Sequence, residues 1–261
     1  MTTVPTIDRL DCQRLAGHGS LARVECHDML ASTQDRAHEL ARDPAAGPLP
    51  LLIAAEEQTA GRGRGTNRWW TGRGSLAFSL LFDPADWGLA PQALPVRSLV
   101  VGVAIVDTLQ PLLAGYALGL HWPNDVFVAD KKLAGILIDV LPGGRHIVGI
   151  GLNVNNTLDG APEEVRGRAT SLAELTGRPF DRTTLLVSLM ATIEDALRTA
   201  GAEPEAFGRR FERLCLQLGR ELTIDSGSRT DTGRCAGIAS DGALVLETAQ
   251  GRKTFYSGAL R

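Results

Sequence analysis

The chain has 261 residues, with 27 Lys+Arg against 30 Asp+Glu and a formal net charge of −3; it fits one large domain, or one domain with a small appendage, and not a protein that grips nucleic acid with its whole surface. With 44% apolar and 22% charged residues it is too apolar for disorder, and its few aromatics leave the core to Ala, Leu, Val and Ile. The apolar run 99–106 is far short of a membrane span, and Asp8, Arg9, Asp11 and Arg14 interrupt any signal-peptide stretch.

Residues 1–20 lack periodicity and read as a loose lead-in. A short strand is expected at 22–26, then a helix at 33–42 capped by Ser32, with Ala37, Leu40 and Ala41 on one face. Pro44, Gly47, Pro48 and Pro50 end it. Strands are expected at 51–56 and 75–82, on either side of a Gly/Arg-rich loop at 58–74, and 95–113 is long and apolar enough for a buried helix. Further strands fall at 118–122 and 126–129 around a P-N-D turn, at 133–140 after a turn at Asp130 and Lys131, and at 146–154. Leu185, Leu186, Leu189, Met190, Ile193 and Leu197 recur at helical spacing over 184–199, and 203–214 is a second amphipathic helix. From Gly219 onward come short β runs at 221–224, 233–239, 243–247 and 253–256, with D-G and Q-G hairpin signals at 241–242 and 250–251. The four cysteines, Cys12, Cys26, Cys215 and Cys235, make no C-x-x-C pair and read neither as a disulfide framework nor as a zinc site. The pattern predicts an α+β fold. A lead-in (1–20) precedes a mixed, mostly antiparallel sheet packed with helices (21–214), and a small β domain follows (215–261).

Five segments hold residues suited to chemistry. In E-E-Q-T-A-G-R-G-R-G (56–65), Gly61 and Gly63 let backbone approach a ligand, and Arg62 and Arg64 match phosphate or carboxylate through forked hydrogen bonds. Trp69 beyond them offers cover for a planar base. The segment is neither a Walker loop nor a Rossmann fingerprint, and by composition alone it reads equally as a solvated turn. In H-W-P-N-D (121–125), Asn124 offers a donor and an acceptor, and Asp125 a carboxylate able to orient a lysine or hold a metal-bound water; a plain turn has the same composition. In K-K-L-A-G (131–135), a lysine rooted on an apolar strand either enters a pocket or snorkels along the surface. In G-I-G-L-N (149–153), strand glycines admit a ligand or mark a bulge, with Asn153 beside them. Ser32 and Thr33 stand where a helix N-terminus presents N–H groups, or where a serine only caps.

The order and spacing of S-T at 32, E-x-Q-x-x-G-R-G-R near 60, W-P-N-D near 124, K-L-A-G-I-L near 134 and G-I-G-L-N-V-N near 152 resemble the biotin protein ligase family, also called biotin–acetyl-CoA-carboxylase ligase. The resemblance spans roughly residues 20–260, and the lipoate ligases that share the fold lack the G-R-G-R loop. It implies a mixed α/β catalytic domain and a C-terminal SH3-like barrel. It implies that biotin and MgATP form biotinyl-5′-AMP, and that a lysine of the biotin carboxyl carrier protein then displaces AMP. On this resemblance Ser32, Thr33, Gln58, Gly61, Arg62, Gly63, Lys132, Gly135, Gly149 and Gly151 bind biotin, and Arg62, Arg64, Trp69, Asn124, Lys132 and Asn153 bind ATP. Arg64, Lys132 and Asp125 are the catalytic candidates, because a carboxylate attacking an anionic α-phosphate needs cations at the developing charge. The ligands of the accompanying Mg²⁺ are unassigned.

Three positions depart from the family pattern: His121 replaces a lysine, Gln34 an asparagine one methylene shorter, and Asn67 an arginine. About twenty residues precede the first expected strand of the catalytic domain, too few for the winged helix-turn-helix of bifunctional members, so a monofunctional, cytoplasmic ligase that binds neither DNA nor membrane is expected. Its expected partner is the carrier domain of biotin-dependent carboxylases, and its expected state is monomer or homodimer. The rival readings are a lipoate or octanoate ligase, a biotin-binding module without ligase activity, and a nucleic-acid binder built on the Arg/Gly loop.

Overall fold

The computed structural model describes residues 9–43, 45, 47–87, 89, 96–227 and 229–260; Pro44 and Pro95, which entered the expected helix boundaries, and Asp8 lie outside them. In chain order the elements are α1 (Cys12–Ala16), β1 (Arg23–Leu30), α2 (Thr33–Arg42), β2 (Leu51–Gln58), β3 (Leu76–Phe82), α3 (Arg97–Leu109), β4 (Leu118–His121), β5 (Asp125–Val128), β6 (Lys131–Val140) and β7 (His146–Leu152). After them come α4 (Glu163–Arg166), α5 (Leu172–Thr176), α6 (Arg182–Ala202), α7 (Pro204–Leu214), β8 (Glu221–Asp225), β9 (Thr230–Ile238), β10 (Leu244–Thr248), β11 (Gly251–Phe255) and β12 (Ala259–Leu260). They divide into two units, Met1–Gly88 with Asp130–Ala191 and Leu89–Ala129 with Thr192–Arg261. Each unit takes two stretches of chain, where the sequence suggested a linear division at 214/215.

In the first unit the strand order is β1-β2-β3-β7-β6. Only the β1–β2 pair is parallel among these neighbours. Strands β3 and β7 are buried along their whole length, and apart from Ser79 and His146 their residues are apolar or glycine, as suits central strands. Helix α2 starts where expected: Ser32 is extended (φ −158°) and its hydroxyl accepts from the Asp35 N–H. Ala37 and Leu40 then pack on Leu51, Ile53, Leu81 and Ile147, which fixes α2 over one face of the sheet.

Residues 9–20 of the lead-in are more ordered than their sequence suggested. Asp11 caps α1 by accepting from the Gln13 and Arg14 N–H groups, and Leu15 is buried. Cys12 and Cys26 form a disulfide, contrary to the sequence reading; Cys215 and Cys235 are free and buried. A five-residue helix shows no periodicity, and cysteine connectivity does not follow from spacing alone. Two more short helices, α4 and α5, were also not expected, although α5 has a full capping box between Ser171 and Glu174.

In the second unit α3 contacts the β4–β5 hairpin and α7. A five-stranded antiparallel sheet of order β11-β10-β9-β8-β12 forms the expected small β domain. Among the described residues no helix is long and apolar enough to cross a membrane.

Candidate active site

The register of the first unit's sheet builds a floor. Ala55, Ala77, Gly151 and Gly135 stand opposite one another across β2, β3, β7 and β6. At ~4.8 Å between strands, this strip without large side chains is about 14 Å wide. Two residues along the strands the row becomes Ile53, Ser79, Gly149 and Leu137, so a single hydroxyl enters the floor there.

Trp69 lies on the strip. A Cβ placed on Gly151 would sit 2.1 Å from the indole Cε2, and one on Gly135 would sit 3.0 Å from Cζ3. The indole Nε1 is buried with no hydrogen-bond partner among the described residues. The Gly/Arg loop that carries Trp69 is a small hairpin: the Trp69 N–H donates to Gly61 O (3.0 Å) and the Gly63 N–H to Asn67 O (2.9 Å). Gly61 must be glycine, because a Cβ there would stand 2.5 Å from Trp69 O. Asn67, where the family pattern has arginine, closes this hairpin through its backbone.

One end of the floor is cationic. Lys132 is the second residue of β6, and its backbone pairs with Arg168 O (2.7 Å) and the Thr170 N–H (3.0 Å), which fixes the root of the side chain. Its Nζ lies 5.7 Å from the Trp69 ring centroid, a cation–π distance. The other end is polar and neutral. Gln58 Oε1 accepts from the Thr33 N–H (2.8 Å) and its Nε2 donates to Thr71 Oγ1 (3.0 Å). Ser79 Oγ lies 2.9 Å from Thr33 Oγ1 and 3.0 Å from Gln34 Oε1. Such a surface suits a ligand with a neutral hydrogen-bonding head, a flat apolar body and an anionic tail.

The structure therefore brings together Thr33, Gln58, Gly61, Trp69, Lys132, Gly135 and Gly151, with Gly149 beneath Gln34 Oε1. Ser32 caps α2 behind them. Gly63 lies in the hairpin and Arg64 at its tip, accepting from the Asn67 N–H. Arg62 points away to Asp35 in an ion pair of 2.9 Å. Asn153 is buried, and its Oδ1 accepts from Asn156 Nδ2 (3.1 Å). Asn124 and Asp125 belong to the second unit, at the β4–β5 turn, where Asp125 pairs in register with His121. The His121 ring stacks on Phe127 with centroids 4.6 Å apart, and Trp122 is pinned by Gln217 Oε1 and Gly242 O. Sequence reasoning missed Ser79, Thr71, His38, Asp139 and Asn156, which carry no motif of their own.

Two carboxylates of the first unit sit below their ordinary range. Burial works to raise Glu25, but hydrogen bonds from Arg36 and His27, with the Arg36 and Arg23 charges, outweigh it. Asp181 is held at about 2, chiefly by the Thr184 hydroxyl and backbone N–H that it caps at the start of α6.

The pattern of the Biotin/lipoate A/B protein ligase family matches residues 29–155, and that of the Biotin protein ligase C terminal domain matches 217–259. The chain is 34% identical over 238 residues to the bifunctional ligase/repressor BirA of Bacillus subtilis, covering 88% of this chain and 71% of that protein. It is 33% identical over 227 residues to the biotin–acetyl-CoA-carboxylase ligase of Mycobacterium tuberculosis, covering 84% of this chain and 82% of that one. The solved structure of the biotin protein ligase from Aquifex aeolicus in complex with biotin and ATP superposes with a TM-score of 0.79 at 31% identity, covering 92% of this chain and 99% of that one.

Proposed function

Because the chain belongs to the biotin protein ligase family, we propose that the floor under Trp69 is where it joins biotin to AMP, and from which it passes the biotinyl group to a carrier-protein lysine. The observation that carries this reading is the graded floor itself: amide and hydroxyl groups at Thr33, Gln58 and Ser79, then the Ala55–Ala77–Gly151–Gly135 strip, then Lys132. A ureido head meets the first part, the bicyclic body lies on the second, and the carboxylate tail reaches the third.

The Trp69 indole occupies the strip, so ligand and indole exclude each other there. Entry of biotin moves the 61–69 hairpin, after which Trp69 is available to cover the adenine. The biotin carboxylate oxygen then forms a bond to the α-phosphorus while the bond to pyrophosphate breaks. Lys132, Arg64 and Arg62 neutralise the negative charge that grows on the phosphate oxygens. For Arg62 this means exchanging Asp35 for phosphate. In the second step the carrier lysine's neutral amine attacks the acyl carbon, AMP leaves with the bonding pair, and the amine loses a proton; Asp125 is the proposed carboxylate for orienting it. A hairpin closed over the mixed anhydride keeps water from it.

Among the described residues no three His, Cys, Asp or Glu side chains gather into a metal cage. A Mg²⁺ accompanying ATP would be held mainly by its phosphates, with Asp125 as the candidate protein carboxylate. When bound, the ion offsets phosphate charge. The carrier domain of biotin-dependent carboxylases is the proposed partner and the cytoplasm the proposed location.

The test is ATP–pyrophosphate exchange with biotin, lipoate or octanoate supplied separately. Exchange with biotin alone is expected. Exchange with lipoate or octanoate but not biotin would overturn the assignment, and biotin binding without exchange would reduce the protein to a binding module.

A further inference from the structure

Behind the polar end of the floor runs a chain of side chains that begins with three the reaction described above does not use, Gln34, Asp139 and His38. Gln34 is 3% exposed, and its Nε2 donates to Asp139 Oδ2 (2.9 Å). The same Oδ2 lies 2.7 Å from His38 Nε2, one turn further along α2. Gln34 Oε1 lies on the sheet: a Cβ on Gly149 would come within 2.4 Å of it. From there the chain continues through Ser79 to Thr33 and Gln58. Its outer end, His38 and Asp139, lines an open cleft of about 1170 Å³ together with Arg62 and Arg145.

We propose that Asp139 is a positioning residue that sets the donor–acceptor polarity of the biotin-binding end through Gln34, with His38 holding Asp139 in place; the inference rests on the biotin reading of the floor. An amide side chain has two ends of nearly equal size, so its orientation follows its partners. A carboxylate at neutral pH only accepts, so Asp139 forces the Gln34 NH₂ outward and its Oε1 inward against Ser79. Facing a fixed acceptor, the Ser79 hydroxyl acts as a donor, its one proton shared between Gln34 Oε1 (3.0 Å) and Thr33 Oγ1 (2.9 Å), while the Thr33 hydroxyl donates to Gln58 Oε1. The Thr33 hydroxyl and the Gln58 amide then present one defined pattern to a ureido group, instead of a mixture. Residues 34 and 139 are 105 positions apart and meet only through the fold.

The same geometry accounts for the departure at Gln34. An asparagine there falls one methylene short of Asp139. The methylene could be returned from the other side, by glutamate at 139. Gln34 and Asp139 thus form a length-matched pair, and neither is judged alone.

The experiment measures biotin affinity by calorimetry, and KM and kcat for biotin in pyrophosphate exchange, on the full chain, with a thermal melt of every variant. Asp139→Asn keeps the shape but lets the Gln34 amide turn; it is expected to raise the biotin Kd and KM about tenfold with kcat changed less than twofold. His38→Ala is expected to raise them about threefold. Gln34→Asn and Asp139→Glu should each cost about tenfold, and the Gln34→Asn/Asp139→Glu double variant should return to within threefold of the parent. A merely structural role would lower the melting temperature without this split or this rescue. Parental biotin affinity in Asp139→Asn, or a double variant no better than its singles, overturns the proposal. A parent that binds no biotin overturns the reading of the floor instead, so the two failures are distinct.

Discussion

Replacing Gly151 by alanine tests the floor directly. The added methyl would stand 2.1 Å from Cε2, 2.5 Å from Nε1 and 2.6 Å from Cδ2 of Trp69, and ordinary contact begins at 3.4 Å, so the indole must retreat by about 1.3 Å. An indole is rigid, and this one is held through its backbone to Gly61, so the shift has to be taken by the hairpin as a body. Overpacking of this kind costs ~1–3 kcal/mol. Weakening the Lys132 cation–π contact adds ~0.5–1 kcal/mol. Freeing the buried Nε1 to reach water works the other way, by ~1–3 kcal/mol. The net loss is therefore about 1 kcal/mol. The three nearest atoms to the new methyl all belong to Trp69, so in a Trp69→Ala background the same substitution should cost less than ~0.5 kcal/mol. Urea unfolding of the parent, both single variants and the double variant closes the cycle, and tryptophan emission reports the exposure of the indole. Biotin affinity should fall in both backgrounds, because the methyl stands on the strip whether or not Trp69 does. Equal stability losses with and without Trp69 would refute the packing of the indole on Gly151.

Lys132→Met should lower the rate of biotinyl-AMP formation about a hundredfold while biotin affinity changes little, since a donor aimed at growing charge is typically worth ~3 kcal/mol in the transition state; equal losses in both, measured by single-turnover kinetics and calorimetry, would mark it as a uniform binder. Asp181→Ala should cost about 1 kcal/mol of unfolding free energy at pH 7, the usual worth of an N-cap and a suitable discount for a half-exposed carboxylate. The folded-state value of Asp181 is depressed to about 2, so this contribution is complete above its ordinary value near 3.8 and fades as pH falls toward 2; urea titrations at pH 7 and at pH 2.5 should show the gap between parent and variant narrowing. Reduction of Cys12–Cys26, which are 14 residues apart, should lower the stability of the oxidised protein by up to about 3 kcal/mol, and Cys26→Ser should remove the response to reductant.

What the sequence disclosed and what it hid divide by the range of the interactions. Ser32 could be read as a cap because capping is settled within four residues, and α2 has the expected bounds 33–42. The glycines of β7 stood out as a motif, but the residues that complete their strip, Ala55 and Ala77, are plain alanines that matter only through register. The Gly/Arg loop read as a loop because its glycines mask a hairpin closed by backbone bonds. Asp139 falls in an apolar strand with no pattern around it, and its partners His38 and Gln34 lie 101 and 105 residues away. His121 stood out only as a departure from the family's lysine; its stacking on the ring of Phe127, two strand positions past Asp125, is a contact no composition shows. The disulfide was overlooked for the reason that most pairings are: two cysteines announce a bond only when the fold supplies the distance.

The strip from Ala55 to Gly135 also limits how this pocket can change. Two of its four members have no side chain to shorten and the other two carry only a methyl, so point substitution can raise the floor but hardly lower it. Bump-and-hole redesign, which pairs an enlarged ligand with a trimmed residue, has almost nothing to trim here. Room for a bulkier ligand has to come from the roof, by shortening Trp69, or from the far wall at Gln34 and Ser79. Adaptation toward a smaller or thinner ligand, by contrast, is one nucleotide change away, since a glycine codon reaches alanine in a single step.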